Sequence, residues 1–271
     1  MFCCLYITVE IYPKKVIIPL NSQLSILNSQ FSTLNSQLSI LNSQLSTYDS
    51  QLSTFSKKKI MIQDYQIQEF LRQAHRVGDA GLTLCSSGNI SWRIGDEALV
   101  SGTGSWVPTL PKEKVAVCRV SDGEVLNGVK PSMESGFHLG VLRERPDCDV
   151  VLHFQSKYAT VVSCMTETPK DFNVTAEVPC HVGREIPVIP YFRPGSPELA
   201  EAVKAALKDH NSALMLKHGQ VVCGKTFDEV FERAMFFEMA CRIIVLSGGK
   251  YNTLTNEEID DLESYVLGKK G

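Results

Sequence analysis

Beyond residue 60 of its 271 residues, the sequence predicts an α/β layer fold with a mixed, largely antiparallel sheet. Two observations predict it. Runs with apolar residues at helical spacing interleave with β-branched runs. Several of the β-branched runs are joined by tight turns, which makes neighbouring strands antiparallel and argues against a doubly wound parallel sheet.

The elements follow in order. Ile67, Phe70, Leu71, Ala74 and Val77 mark one face of a helix over Gln63 to Ala80, with Gly78 and Gly81 at its end. Ser86 to Arg93 and Ala98 to Ser101 flank Gly95-Asp96 and predict a hairpin, followed by a loop at Gly102-Thr103-Gly104-Ser105. Val115 to Val120 and Glu124 to Leu126 predict a second hairpin around Asp122-Gly123. Ser132 to Arg145 reads as a helix with Glu134 in its first turn, and the β-branched run at Asp149 to Gln155 as a strand. A short helix is expected near Ser156 to Met165, a strand at Ile186 to Pro190, and a helix at Pro197 to Lys208 capped by Ser196. Ala213 to Cys223 predicts two short strands hinged at His218-Gly219, and Phe227 to Leu246 a long helix ending at Gly248-Gly249.

Residues 1–60 are a different object. Residues 21–55 are five copies of one heptapeptide, from NSQLSIL to DSQLSTF. Apolar residues alternate by three and four, which is coiled-coil spacing. Yet each copy holds two Ser and one Asn or Asp, which favour caps and turns, and no charged pairs flank the seam. The DNA unit AATTCTC, read through its three frames, encodes N-S-Q-F-S-I-L. We therefore expect residues 1–60 to be a low-complexity extension, disordered or a translated DNA repeat ahead of a start at Met61, and 61–271 to be the functional domain.

Composition excludes several functions. The net charge of -3 gives no basic surface for nucleic acid. The apolar opening is broken by Glu10, Lys14 and Lys15 well short of the ~20 residues of a membrane span, and it lacks a basic leader. Nine scattered cysteines, Cys3 and Cys4 among them, without a CxxC pair, read as reduced thiols of a cytoplasmic protein.

The chemistry lies in four side chains. His153 and Gln155, two apart on a predicted strand, should share a face. Glu134 opens the preceding helix, and His218 ends an apolar run before a glycine. Singly, each has an ordinary reading: a first-turn acid, a sheet histidine, a turn residue. Together they suit one divalent metal with an open coordination position. Ser87-Gly88-Asn89, Ser101-Gly102-Thr103-Gly104 and Pro131-Ser132 are small polar loops able to cradle an anion. His138, four residues after Glu134, reads as a packing or supporting histidine.

These pieces, from Ser87-Gly88-Asn89-Ile90-Ser91 through Thr103-Gly104, Pro131-Ser132-Met133-Glu134 with Phe137-His138, and Val151 to Gln155, to Lys217-His218-Gly219, resemble the class II aldolase/adducin family, L-fuculose-1-phosphate aldolase above all. The resemblance covers about Gln63 to Leu246. It implies a three-layer α/β/α sandwich and a homotetramer with active sites at subunit interfaces. It implies a sugar-phosphate substrate whose phosphate is held by Gly88, Asn89, Thr103, Gly104 and Ser132. Zinc would be held by His153 and His218, with Glu134 as ligand and then acid/base, in an aldol cleavage giving dihydroxyacetone phosphate and an aldehyde. A 4-epimerase on the same site, or a metal-free adducin-like binding module, are the alternatives. Three departures stand out. Gln155 replaces a family histidine, which weakens zinc and opens the site to Mn²⁺ or Mg²⁺. Met133 replaces a serine, and no tyrosine in Phe172 to Gly183 matches the family's proton donor.

Overall fold

A computed structural model describes residues 6–11, 14–55 and 61–268. Cys3 and Cys4 lie outside the described residues. The chain divides into two units after residue 59. In the first, Tyr6–Ile11 (β1) pairs antiparallel with Lys14–Pro19 (β2), and Leu20–Phe55 (α1) is a single helix through the heptapeptides. The Ser- and Thr-rich composition argues against such a helix. Its hydroxyls turn back onto the helix instead: Thr33 Oγ1 donates to Ser29 O (2.9 Å) and Ser36 Oγ to Thr33 O (2.7 Å). Leu24, Phe31 and Leu38 are exposed.

The second unit starts with Asp64–Asp79 (α2), whose buried Phe70, Leu71, Ala74 and Val77 keep the spacing read from the sequence. Then come Asn89–Ile94 (β3), Glu97–Ser101 (β4), Val115–Arg119 (β5), Ser135–Glu144 (α3), Val150–Phe154 (β6) and Lys157–Ser163 (α4). Val188–Ile189 (β7), Pro197–Leu207 (α5), Ser212–Met215 (β8), Gly219–Gly224 (β9), Phe227–Leu246 (α6) and Asn256–Gly268 (α7) complete it. The sheet runs β5-β4-β3-β6-β9-β8-β7, antiparallel throughout except for the parallel β7–β8 pair. The expected mixed, largely antiparallel sheet is what forms.

Alternation along the strands builds two cores, one on each face. Val150, Leu152, Phe154, Leu214 and Val222 join Phe70 of α2, Val162 of α4 and Phe237 of α6. Val151, Ala213, Met215, Val221 and Cys223 join Phe137 and Leu142 of α3 and Leu199 and Val203 of α5. The result is helix, sheet, helix in three layers. Each fully buried Phe or Leu contributes roughly 1.5–3 kcal/mol. Caps fix where helices begin: Ser196 Oγ accepts from Leu199 N (3.1 Å) and Thr226 Oγ1 from Glu229 N (3.2 Å), a contribution of ~1 kcal/mol each.

The differences from the sequence reading are local. The predicted second hairpin shrinks to β5 plus one bridge, Cys118 to Val125, because Asn127 takes the next positions: its Oδ1 accepts from Val117 N (3.0 Å) and its Nδ2 donates to Val115 O (2.8 Å). The strand at Ile186 to Pro190 is only the two residues of β7. The helix expected from Ser132 starts at Ser135. A final helix, α7, was not expected. The described cysteines, Cys85, Cys118, Cys148, Cys164, Cys180, Cys223 and Cys241, are free thiols. No helix among the described residues is long and apolar enough to cross a membrane.

Candidate metal centre and active site

Three elements deliver the three ligand candidates. Glu134 is the residue before α3 rather than in its first turn; its φ of -98° and ψ of 8° end the approach to the helix. Ser132 holds that approach, since its N–H donates to Ser101 O (2.9 Å) at the end of β4 and its Oγ accepts from Glu134 N (3.2 Å). His153 sits near the end of β6, opposite Asn89 of β3 and Val221 of β9. His218 lies in the turn from β8 to β9, where Lys217 adopts a left-handed φ of 57°. Glycine is required next: a Cβ on Gly219 would stand 2.5 Å from Phe154 O.

The ligand atoms of Glu134, His153 and His218 all lie within 4.8 Å of one another. Glu134 Oε2 is 3.5 Å from His153 Nε2, and Glu134 Oε1 is 3.4 Å from His218 Nε2. All three residues are buried. His153 Nδ1 lies 2.8 Å from Gln220 O. A carbonyl only accepts, so Nδ1 carries the proton and Nε2 offers a bare lone pair. That Nε2 and Glu134 Oε1 are buried without any hydrogen-bond partner. Buried polar atoms are rarely left so, because each costs about 1–3 kcal/mol. Two orphaned acceptors converging with the second imidazole, that of His218, fit a divalent cation. Burial, reinforced by neighbouring His153, pushes the His218 pKa down to about 4 against the opposing pull of Glu134, so its imidazole is neutral and free to ligate at neutral pH.

The predicted ligands Glu134, His153 and His218 are thus brought together. Gln155 follows the last residue of β6 and lines the same cavity as His153, with its Cγ over Gly219.

That cavity is about 560 Å³. The three ligand candidates form one part of its wall; Gly88, Asn89, Thr103, Gly104 and Ser132 form another. Gly88 has a φ of 81°, and a Cβ there would stand 2.9 Å from His153 O. Gly104 has a φ of 67°. Gly102 N donates to Lys114 O (2.7 Å) and Thr103 N to Lys130 O (3.1 Å), pinning the second loop between flanking segments. The side chain of Asn89 is spoken for: Nδ2 donates to Glu134 Oε2 (2.9 Å), and Oδ1 accepts from His138 Nε2. Sequence reasoning missed Lys217, Thr160 and Ser86, which also line the cavity, and Gln220, which sets the His153 tautomer. Adjacency to His218 was a signal for Lys217; nothing local marked Gln220.

Comparison with known proteins decides the family. The Class II Aldolase and Adducin N-terminal domain family matches residues 68–245. This chain belongs to that family. Among its family relatives, 3-oxo-tetronate 4-phosphate decarboxylase of Haemophilus influenzae is 33% identical over 69% of this chain and 90% of that protein. L-fuculose phosphate aldolase of Methanococcus vannielii is 28% identical over 68% of this chain and 99% of that protein. The crystal structure of YgbL from Escherichia coli superposes with a TM-score of 0.68 at 30% identity, covering 73% of this chain and 97% of that one. The class II aldolase fold and family expected from the motifs are therefore established. The relatives are enzymes, aldolases and decarboxylases, acting on phosphorylated sugar derivatives.

Proposed function

We propose that this protein is a metal-dependent carbon–carbon lyase that decarboxylates a small phosphorylated 3-oxo sugar acid, with 3-oxo-tetronate 4-phosphate as the leading candidate. The observation that carries the reading is the buried Glu134–His153–His218 cluster, with two orphaned acceptors, in one cavity with three neutral small-residue loops. A divalent cation held by these residues supplies Lewis-acid stabilisation of negative charge on a substrate carbonyl oxygen. Zinc suits the two imidazoles and the carboxylate, and Mn²⁺ or Mg²⁺ is favoured if the Gln155 oxygen takes part.

The chain's own residues do the rest. Backbone N–H groups of the Gly88 and Gly104 loops, with the Thr103 and Ser132 hydroxyls, hold the phosphate and fix the reacting carbon over the cluster. Loss of CO₂ from a 3-oxo acid leaves the bond's electron pair on the carbon beside the ketone, as an enediolate. Glu134, having taken up a proton from solvent water, then delivers it to that carbon, giving dihydroxyacetone phosphate. Retro-aldol cleavage of a ketose 1-phosphate leaves the same three-carbon enediolate. The two reactions differ in the departing fragment. An aldehyde leaves only when a hydroxyl proton is removed, whereas CO₂ leaves without proton transfer. The missing counterpart of the family's tyrosine in Phe172 to Gly183 therefore favours decarboxylation. So does the higher identity to the decarboxylase.

Aldol cleavage of a fuculose 1-phosphate-like substrate is the second reading, supported by the relative that the chain matches over 99% of its length. The homotetramer with sites at subunit boundaries rests on the family resemblance, and the exposed Met133 at the cavity is one side chain such a boundary would cover. The test is direct. Metal-loaded protein given 3-oxo-tetronate 4-phosphate should release CO₂ and dihydroxyacetone phosphate. Release of an aldehyde from fuculose 1-phosphate with no CO₂ from the oxo acid would select the second reading. Absence of bound Zn²⁺ and Mn²⁺, with neither reaction, would point to a metal-free binding module.

A further inference from the structure

Behind Glu134 lies a chain of buried polar groups that the reaction does not itself require. Ser91 Oγ lies 2.8 Å from His138 Nδ1, His138 Nε2 meets Asn89 Oδ1, and Asn89 Nδ2 lies 2.9 Å from Glu134 Oε2. Ser91 and Asn89 project from the same face of β3, and His138 is one helical turn beyond Glu134, so the chain runs from strand to helix and back to Asn89, which alone of the three bonds the carboxylate. All four residues are buried, His138 completely.

The hydrogen-bond polarity has a single solution. Glu134 Oε2 only accepts, so the Asn89 amide nitrogen faces it and Oδ1 faces His138. Oδ1 only accepts, so His138 carries its proton on Nε2 and receives the Ser91 hydroxyl proton on Nδ1. Burial, with His153 nearby, pushes the His138 pKa down to about 3, which keeps the ring in this neutral form. Rotating Asn89 by half a turn would set donor against donor at His138 and oxygen against oxygen at Glu134. The chain thus divides the carboxylate: Oε2 belongs to the protein, and Oε1 is left bare toward His218.

We propose that Asn89, held by His138 and Ser91, is a positioning residue that fixes the Glu134 carboxylate for the metal and for proton delivery. Its side chain serves the acid rather than the substrate phosphate. The proposal rests on Glu134 having the role given above. It also gives Asn89 a different duty from the phosphate contact implied by the family resemblance.

The experiment strips metal from the full-length protein and measures Zn²⁺ affinity by competition with a chromophoric chelator, for wild type, His138→Leu, His138→Gln and Asn89→Leu. Supporting groups behind a metal ligand typically carry about 10–100-fold in affinity, and His138→Leu and Asn89→Leu should each lose that much. A glutamine amide can donate from the position of Nε2, so His138→Gln should stay within about threefold of wild type. In turnover, kcat should fall in the two leucine variants while KM for the phosphorylated substrate moves less than about twofold. Circular dichroism and melting curves identify any variant that fails to fold, and Asn89→Leu stands in if His138→Leu does not. The proposal is overturned if the leucine variants bind Zn²⁺ as wild type does, if His138→Gln is as weak as His138→Leu, or if Asn89→Leu raises KM alone. A wild type that binds Zn²⁺ with this pattern but cleaves neither substrate sinks the assigned reaction and leaves the positioning chain standing.

Discussion

The two working walls of the cavity are built in opposite ways. On the metal wall, side chains are held by other side chains and by strand carbonyls: Asn89 on Glu134, His138 on Asn89, Gln220 O on His153. On the loop wall, position is set by the backbone, through the positive φ of Gly88 and Gly104 and the bonds of Gly102 and Thr103 to flanking segments. The first wall is rich in groups whose charge state matters. The second has no charged side chain among Gly88, Thr103, Gly104 and Ser132, which suits a dianion bound through N–H and hydroxyl donors. Damage to the first should therefore appear in metal content and kcat, and damage to the second in KM and stability.

Glu134→Gln breaks the metal wall at its centre. It should lower kcat by about 10²–10⁴-fold, the usual weight of a positioned acid/base, with KM changed far less. His218→Ala should strip the metal and reduce kcat/KM by about 10²–10³-fold, measured with metal content by plasma emission. If His218→Ala retains stoichiometric metal, the cluster is not the site. A pH series of unfolding curves sharpens the contrast. The depressed pKa of His138 means that only the unfolded chain takes up this proton between its ordinary pKa of 6.5 and about 3. Stability is full above pH 6.5 and should fall as the pH drops through that window, by about 1.4 kcal/mol per unit from this one group. His138→Gln should flatten that limb. On the loop wall, Gly88→Ala forces a left-handed φ on a side chain and a Cβ against His153 O, and should cost about 1–3 kcal/mol in a denaturant titration. Because that contact reaches the backbone of His153, it should also loosen the metal. The smallest effect is a gain. Gln155→His should tighten Zn²⁺ by about tenfold, or ~1.4 kcal/mol. Unchanged affinity would assign Gln155 to the substrate.

What the sequence revealed depended on whether a local rule governed it. The strand at His153 and the helix over Phe227 to Leu246 were legible because alternation and helical spacing are enforced by two continuous cores. The hairpin at Asp122-Gly123 forms only in part: Arg119 N to Glu124 O and Leu126 N to Val117 O join its arms, and beyond them the Asn127 side chain takes Val117 N and Val115 O in place of a strand. Glu134, His153 and His218 were legible as a set from residue type and setting. Gln155 was read on a strand that stops one residue earlier. The engagement of Asn89 with His138 and Glu134 was invisible, because it joins β3 to α3 across more than forty positions of sequence.

One contact far from the cavity bears on how the protein should be handled. Glu97 is 4% exposed, and its Oε2 accepts the backbone N–H groups of Met61 (2.9 Å) and Ile62 (3.2 Å). In a chain begun at Met61, the first of these nitrogens is an ammonium, and the buried carboxylate gains a cationic partner in place of an amide. Fusing an affinity tag or any other peptide ahead of Met61 would restore the amide and remove that charge. A tag placed after residue 271 leaves this corner of the sheet as synthesis made it.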